Sequence, residues 1–294
     1  MCGGVHFGAD VEVCDVVTDS RSCGFGDGAM FVAMKGVNHD SHNFLGDMYQ
    51  SGVRAFLVEC SESIAGLEGA GYVLVDNSLD ALQSLAAAHR ESFKGVVVGI
   101  TGSVGKTTTK EMISCVLSGK YRVSKTQGNH NNNLGLPITI MDMPADTQLA
   151  VLELGMNHFG EISRMSDSAK PTMAVITNIG LEHTEYLGNS LPKIAREKGG
   201  IIKKCTPVVV GEKNSNYHLV LDEIAADLHS EIIYAPEAFE IGECGFEEGM
   251  QVVTMTRLRD GYPYQLRLDL LGEYQRQTLA TVASALDKLH ESTP

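Results

Sequence analysis

The feature that most constrains this 294-residue chain is a strand, a glycine-rich turn and a helix placed end to end from residue 96 through Leu117. Val96-Val-Val-Gly-Ile-Thr101 is an unbroken, largely apolar run, the pattern of a strand covered on both faces. Gly99-Ile-Thr-Gly-Ser-Val-Gly-Lys-Thr107 leads out of it, and Met112, Ile113, Val116 and Leu117 give the following helix one apolar face. Such a turn gathers backbone N–H groups around phosphate oxygens, and the helix N-terminus adds about half a positive charge. Lys106 is then expected against the β- and γ-phosphates of a nucleoside triphosphate, with the Thr107 hydroxyl on Mg2+. A dinucleotide-binding turn would also use Gly99, Gly102 and Gly105, but it leaves Lys106 and Thr107 without a role. It also wants an acid about 20 residues on, where Tyr121-Arg-Val-Ser-Lys-Thr126 has none. A purely structural turn is the third reading; the triphosphate is favoured over both.

The turn sits in a longer alternation. Leu149–Leu154, Met173–Ile179 and Pro207–Gly211 read as further buried strands, separated by helical stretches that include Leu191–Lys204 and Tyr217–Leu228. This order predicts a mostly parallel sheet flanked by helices. Gln251–Leu270 alternates apolar and polar residues around Asp260-Gly261, the signal of a β-hairpin, and a last helix is expected near Arg276–Leu289. Upstream, strand-like runs at Ala29–Met34, Ala55–Glu59 and Tyr72–Asp76 precede a helix capped by Ser78 and ending near Ser92. The fold class is therefore α/β. A small domain spans 1–93, and a P-loop-type domain with a short C-terminal hairpin spans 94–294.

Charge and composition narrow the function. With 23 basic against 37 acidic residues the net charge is −14, which repels a polyanion, so nucleic acid is not an expected partner. No apolar run approaches the ~20 residues needed to cross a bilayer, and the N-terminus lacks a secretory pattern. Seven cysteines, an odd number with no Cys-x-x-Cys pair, argue against a disulfide framework or zinc knuckle. They are expected to be small buried hydrophobes, with free thiols that fit a reducing cytoplasm.

Three residues downstream could serve the same site. Glu153 ends the strand Leu149–Leu154, and His183 follows the next strand. In open α/β sheets ligands bind beyond the carboxyl ends of the strands, and Mg2+ takes hard oxygen ligands. Lys198 falls in the apolar stripe of Leu191, Ile194, Ala195 and Ile202. A buried ammonium tends to lose its proton, and a neutral lysine can add CO2 to become an anionic carbamate. Alternatively its stem packs while the charge reaches water. The residues alone leave both readings open.

Taken together these segments resemble the Mur ligase family. Thr18-Asp-Ser-Arg21, Met30-Phe-Val-Ala-Met-Lys-Gly36 and Asp40-Ser-His42 are similar to its N-terminal uridine-nucleotide domain. Gly99–Glu111, Gly128-Asn-His-Asn-Asn-Asn133, Gly135-Leu-Pro137, Thr177-Asn-Ile179, His183 and Lys198-Gly-Gly-Ile201 resemble its central domain. Glu153-Leu-Gly-Met-Asn-His-Phe-Gly-Glu-Ile162 resembles the branch that adds D-alanyl-D-alanine to UDP-N-acetylmuramoyl-tripeptide (UDP-MurNAc-tripeptide).

The resemblance implies an ATP-dependent amide ligation through an acyl phosphate, in a cytoplasmic monomer. Lys106, His183 and Lys198 would be catalytic, and Gly102, Ser103, Gly105, Lys106, Thr107, Thr108 and Asn178 would hold ATP. Thr107, Glu153, His183 and carbamylated Lys198 would bind Mg2+. Ser20, Arg21, Lys35, His42, Asn129, Asn132, Asn157 and His158 would contact substrate. Val104, Ser41, Gly200 and Gly272–Gln277 depart from the family pattern, and nothing matches its C-terminal domain. A two-domain portion with little turnover of its own is expected. The alternatives are a sister ligase adding diaminopimelate or lysine to the dipeptide precursor, a non-catalytic binding module, and a simple P-loop hydrolase or kinase.

Overall fold

A computed structural model of the chain describes residues 2–21, 28–36, 39–61, 66–181, 190–269 and 275–292. It divides into two compact units, one of residues 1–93 with 133–143, the other of residues 94–132 with 144–294.

The first unit is built on a five-stranded sheet in the order β1-β5-β4-β3-β2. Its strands are β1 (Val5–Gly8), β2 (Asp15–Val17), β3 (Ala29–Val32), β4 (Ala55–Val58) and β5 (Gly71–Leu74). Only β1 runs antiparallel to its neighbour. Phe31, Phe56 and Tyr72 fill one face with Leu45 and Met48 of helix α1 (Leu45–Gln50). Val32, Leu57, Ala81 and Leu82 fill the other, beneath helix α2 (Ser78–Ser92). The cap of α2 is Asn77, not Ser78 as expected. Asn77 has extended backbone and its side-chain oxygen accepts from the Asp80 N–H, while the Ser78 N–H donates to Glu59 Oε1 at 2.7 Å. A further helix, α4 (Gly135–Met141), also packs in this unit, although it lies well beyond Phe93 in the chain.

The second unit holds a six-stranded, wholly parallel sheet in the order β11-β10-β9-β6-β8-β7. The strands are β6 (Val96–Thr101), β7 (Val123–Lys125), β8 (Leu149–Glu153), β9 (Met173–Ile176), β10 (Val208–Val210) and β11 (Ile232–Tyr234). Helices α3 (Lys106–Ser118) and α9 (Gln275–Ser292) cover one face, where Val98, Ile100, Val151, Val175 and Val209 meet Ile113, Leu117 and Val282. Helices α5 (Glu161–Ala169), α6 (Leu191–Gly199) and α7 (His218–Asp227) also belong to this unit. The chain passes to β8 on one side of β6 and to β9 on the other, so β6 lies where the strand order reverses. That reversal opens a crevice at the strands' carboxyl ends.

The expected hairpin is present but belongs to a three-stranded antiparallel sheet, β12 (Phe239–Glu247), β13 (Met250–Arg257) and β14 (Tyr262–Leu268). A short helix α8 (Ala235–Ala238) leads into it. The six described cysteines correct one expectation: five are exposed and Cys2 is half-buried, so none acts as a small buried hydrophobe. Among the described residues no helix is long and apolar enough to cross a membrane.

Candidate functional site

The glycine turn is shaped by close backbone approach. Gly102 has φ +149°, and a Cβ there would stand 1.9 Å from Thr177 Oγ1. Gly105, at φ +86°, opens α3. The loop is laced to the carboxyl end of β9. Ser103 N–H donates to Asn178 O at 3.0 Å, Val104 N–H to Asn178 Oδ1 at 2.8 Å, and Thr177 Oγ1 to Val104 O at 2.6 Å. The Asn178 side chain thus holds the loop itself. Lys106 Nζ donates to Gly102 O at 2.7 Å and Ser103 O at 3.2 Å, which keeps the ammonium at the mouth of the turn.

Across the crevice, Glu153 ends β8 at only 2% exposure. Its Oε2 accepts from Thr107 Oγ1 at 2.9 Å and its Oε1 from Asn131 Nδ2 at 2.8 Å. Its backbone N–H donates to Thr126 Oγ1 at 2.9 Å. A hydroxyl and a carboxylate therefore share one point beside the glycine turn, a hard-oxygen pair suited to Mg2+, which is usually held by one or two carboxylates and substrate phosphates. Among the described residues no three His, Cys, Asp or Glu side chains gather as a metal cage.

Sequence reasoning gave no individual role to Asn131, Thr126 or Lys110, although Asn131 and Lys110 stand in segments that resemble the family. Lys110 is buried at 1% exposure, donates to Thr126 O at 2.8 Å and lies 3.9 Å from Glu153 Oε2. The periodicity that singles out Lys198 would have found it, since Lys110, Ile113 and Leu117 share one helical stripe.

Lys198 is 1% exposed on the buried face of α6, as its place in the apolar stripe implies. The preceding Glu197 accepts from the Gly160 N–H at 2.6 Å and so ties α6 to the loop after β8. That loop carries Asn157 and His158, both exposed, whose N–H groups donate to Glu161 Oε2. Asn129 and Asn132 are exposed near Asn131. His183 lies outside the described residues, as do residues 272–274 of the segment Gly272–Gln277.

A small cavity of about 110 Å3 flanks the turn, lined by Gly105, Thr108, Thr177, Asn178, Gln277 and Thr278 among others. Gln277 also lines a larger one of about 540 Å3 beyond β10, with Glu212, Phe239 and Arg276. Nearby, burial pushes the Tyr217 phenol up, and its hydrogen bond to Glu212 adds to the shift.

In the first unit, Arg21 grips Asp19 with two side-chain bonds, of 2.9 and 2.7 Å, and this holds the Asp19 carboxyl down at about 2. Ser20 sits in the same turn, half-buried. The exposed Lys35 bridges to Asp40 through its backbone. Both ring nitrogens of His42 are engaged: Nε2 accepts from the Glu59 N–H at 3.0 Å, so the proton sits on Nδ1, 2.6 Å from Asp40 Oδ1. That bond lowers the Asp40 carboxyl.

Comparison with known proteins places the whole chain beside a family. Residues 100–285 match the Mur ligase middle domain. The chain is 45% identical over 174 residues to the UDP-N-acetylmuramoyl-tripeptide--D-alanyl-D-alanine ligase of Bacillus subtilis, covering 59% of this chain and 37% of that one. It superposes on a crystal structure of MurF from Acinetobacter baumannii with a TM-score of 0.84 at 29% identity, covering 94% of this chain and 60% of that one. A MurF ligase from Thermotoga maritima in complex with ADP gives 0.80 at 26% identity, over 94% of this chain and 63% of that one. The chain thus spans between about a third and two thirds of these relatives. With residues 100–285 matched to the family's middle domain and the same fold in solved members, the chain belongs to the Mur ligase family.

Proposed function

We propose that this chain is the nucleotide-binding portion of a cytoplasmic, ATP-dependent ligase that joins D-alanyl-D-alanine to UDP-MurNAc-tripeptide in peptidoglycan precursor synthesis. The observation that carries the proposal is the 2.9 Å contact between Thr107 and Glu153 at the mouth of the glycine turn. The named relatives support the choice of substrates. The tripeptide carboxylate attacks the γ-phosphorus, giving an acyl phosphate and ADP; the dipeptide amine then attacks the acyl carbon and phosphate leaves. Lys106 and the loop N–H groups hold the phosphates in line. The small cavity beside Asn178 and Thr278 adjoins the turn that holds the phosphates. Thr107 and Glu153 hold a Mg2+, with His183 and a carbamate on Lys198 as further ligands. When bound, the cation offsets the repulsion between carboxylate and phosphate. Ser20, Arg21, Lys35 and His42 serve the uridine-nucleotide end, and Asn129, Asn132, Asn157 and His158 the peptide. The protein works as a monomer.

Calorimetric titration with MgADP tests the site. Lys106→Ala is expected to weaken binding by at least about tenfold, and unchanged affinity would contradict the reading. Phosphate release by the full-length ligase, rather than by this portion, identifies the reaction. Dependence on both UDP-tripeptide and D-alanyl-D-alanine is expected. Release without either peptide points to a hydrolase, and extension of the UDP-dipeptide to a sister ligase. Stimulation by bicarbonate, and partial rescue of Lys198→Ala by acetate, test the carbamate.

A further inference from the structure

We infer that Lys110, which no step above uses, is a positioning residue that makes capture of the divalent cation conditional on the nucleotide. The inference rests on the nucleotide-site reading and goes beyond it. Lys110 follows Thr107 by three residues on α3, so both side chains leave the helix on one face and reach the same carboxylate. Its ammonium is buried, donates to the Thr126 carbonyl, and lies 3.9 Å from Glu153 Oε2 and 3.2 Å from Glu111 Oε1. The more exposed Glu111 pairs in turn with Lys125. Charges thus alternate along Lys125, Glu111, Lys110 and Glu153, the first two partly exposed and the last two buried. Thr126 closes the frame, because its hydroxyl accepts from the Glu153 N–H while its carbonyl accepts from Lys110.

Two consequences follow from electrostatics. A buried carboxylate is costly without a cation beside it, and Lys110, which Glu153 shares with the more exposed Glu111, is that cation. The pair is then neutral, so a dication arriving alone meets one carboxylate and one ammonium at short range. In a poorly solvated crevice that repulsion is strong. A dication already carried by the phosphates of ADP or ATP brings its own negative charge and is accepted. Lys110 therefore keeps Glu153 ready while discouraging the free metal.

Mn2+ binding followed by electron paramagnetic resonance tests this on the 294-residue chain. Wild type is expected to bind preformed MnADP well and Mn2+ alone poorly. Lys110→Met should tighten Mn2+ alone by at least about tenfold without tightening MnADP. Loss of a merely structural residue would not make a metal bind more tightly. Unchanged or weaker Mn2+ binding, or equal tightening of both ligands, overturns the inference. If wild type fails to bind MnADP, the nucleotide-site reading falls and takes this one with it. A second arm covers the case in which Lys110→Met folds poorly. Adding Glu153→Gln removes the stranded charge, so the double variant should melt higher than Lys110→Met alone. A double variant that melts no higher, or does not fold, overturns the pairing.

Discussion

In the proposed metal site, Glu153 would depend on the groups that aim it. Asn131 fixes one oxygen and Thr107 the other, at 2.8 and 2.9 Å. Asn131→Ala is expected to leave folding intact but weaken MgADP binding about tenfold, the usual scale for losing a group that orients a metal ligand; calorimetry reads it directly. Farther out, the hydrogen bond from Lys125 holds the Glu111 carboxyl below its ordinary value of 4.5. A depressed carboxylate stabilises the fold above its unfolded pKa, and that contribution disappears as pH falls through the folded value. Glu111→Gln should therefore lower the melting temperature at pH 7, and the gap should close as the buffer is taken below pH 4.5. A gap that widens in acid would mean the ion pair is irrelevant. At this scale the sequence was readable where a residue broke a pattern. Lys198 stood out as a charge in an apolar stripe and is buried. Asn131 broke nothing, because an asparagine among asparagines in a polar loop carries no periodicity, and only the fold of the loop brings it to Glu153.

Among the elements, those buried on both faces were legible, because a continuous apolar run has few alternatives. Strands β6, β8, β9 and β10 lie within or at the expected segments, and α2 ends at the expected residue. The short edge strands β7 and β11 and the exposed strand β1 lack that signal. Strand β12 alternates poorly because its irregular register around Ile241 and Cys244 breaks the two-residue period. The cap of α2 was misplaced by one residue because asparagine and serine compete for the same role. Asn77→Ala is expected to cost about 1 kcal/mol in urea unfolding, and Ser78→Ala far less, since the Ser78 hydroxyl has no hydrogen-bond partner among the described residues. Gly102→Ala is a sharper test of the turn. Its Cβ would collide with Thr177 and its φ is unfavourable for any side chain, so both thermal stability and MgADP binding should fall.

For the whole molecule, binding should register unequally. MgADP at 100 times its dissociation constant stabilises the unit that holds it by about 2.7 kcal/mol. Over a body of the second unit's size, that raises the melting point by roughly 5–10 °C. Calorimetric scans should show that upper shift in one transition only. A shift of equal size throughout would mean that the two units unfold as one. The expected division at residue 94 follows a change in sequence pattern, but no local pattern tells which sheet a distant helix will join. That is why the destination of α4 was not legible.

Helix α4 has a practical corollary. Because the chain leaves one body at Asn133 to complete the other and returns at Pro144, the polypeptide crosses between them three times. No single cut can therefore release either half intact. A gene fragment ending at Phe93 would encode a unit missing the helix that packs on α2, with the apolar surface that Leu134 and Met141 meet laid open to water. Anyone wishing to study the smaller half by itself would have to splice the later piece back on, for instance through a short glycine–serine tether.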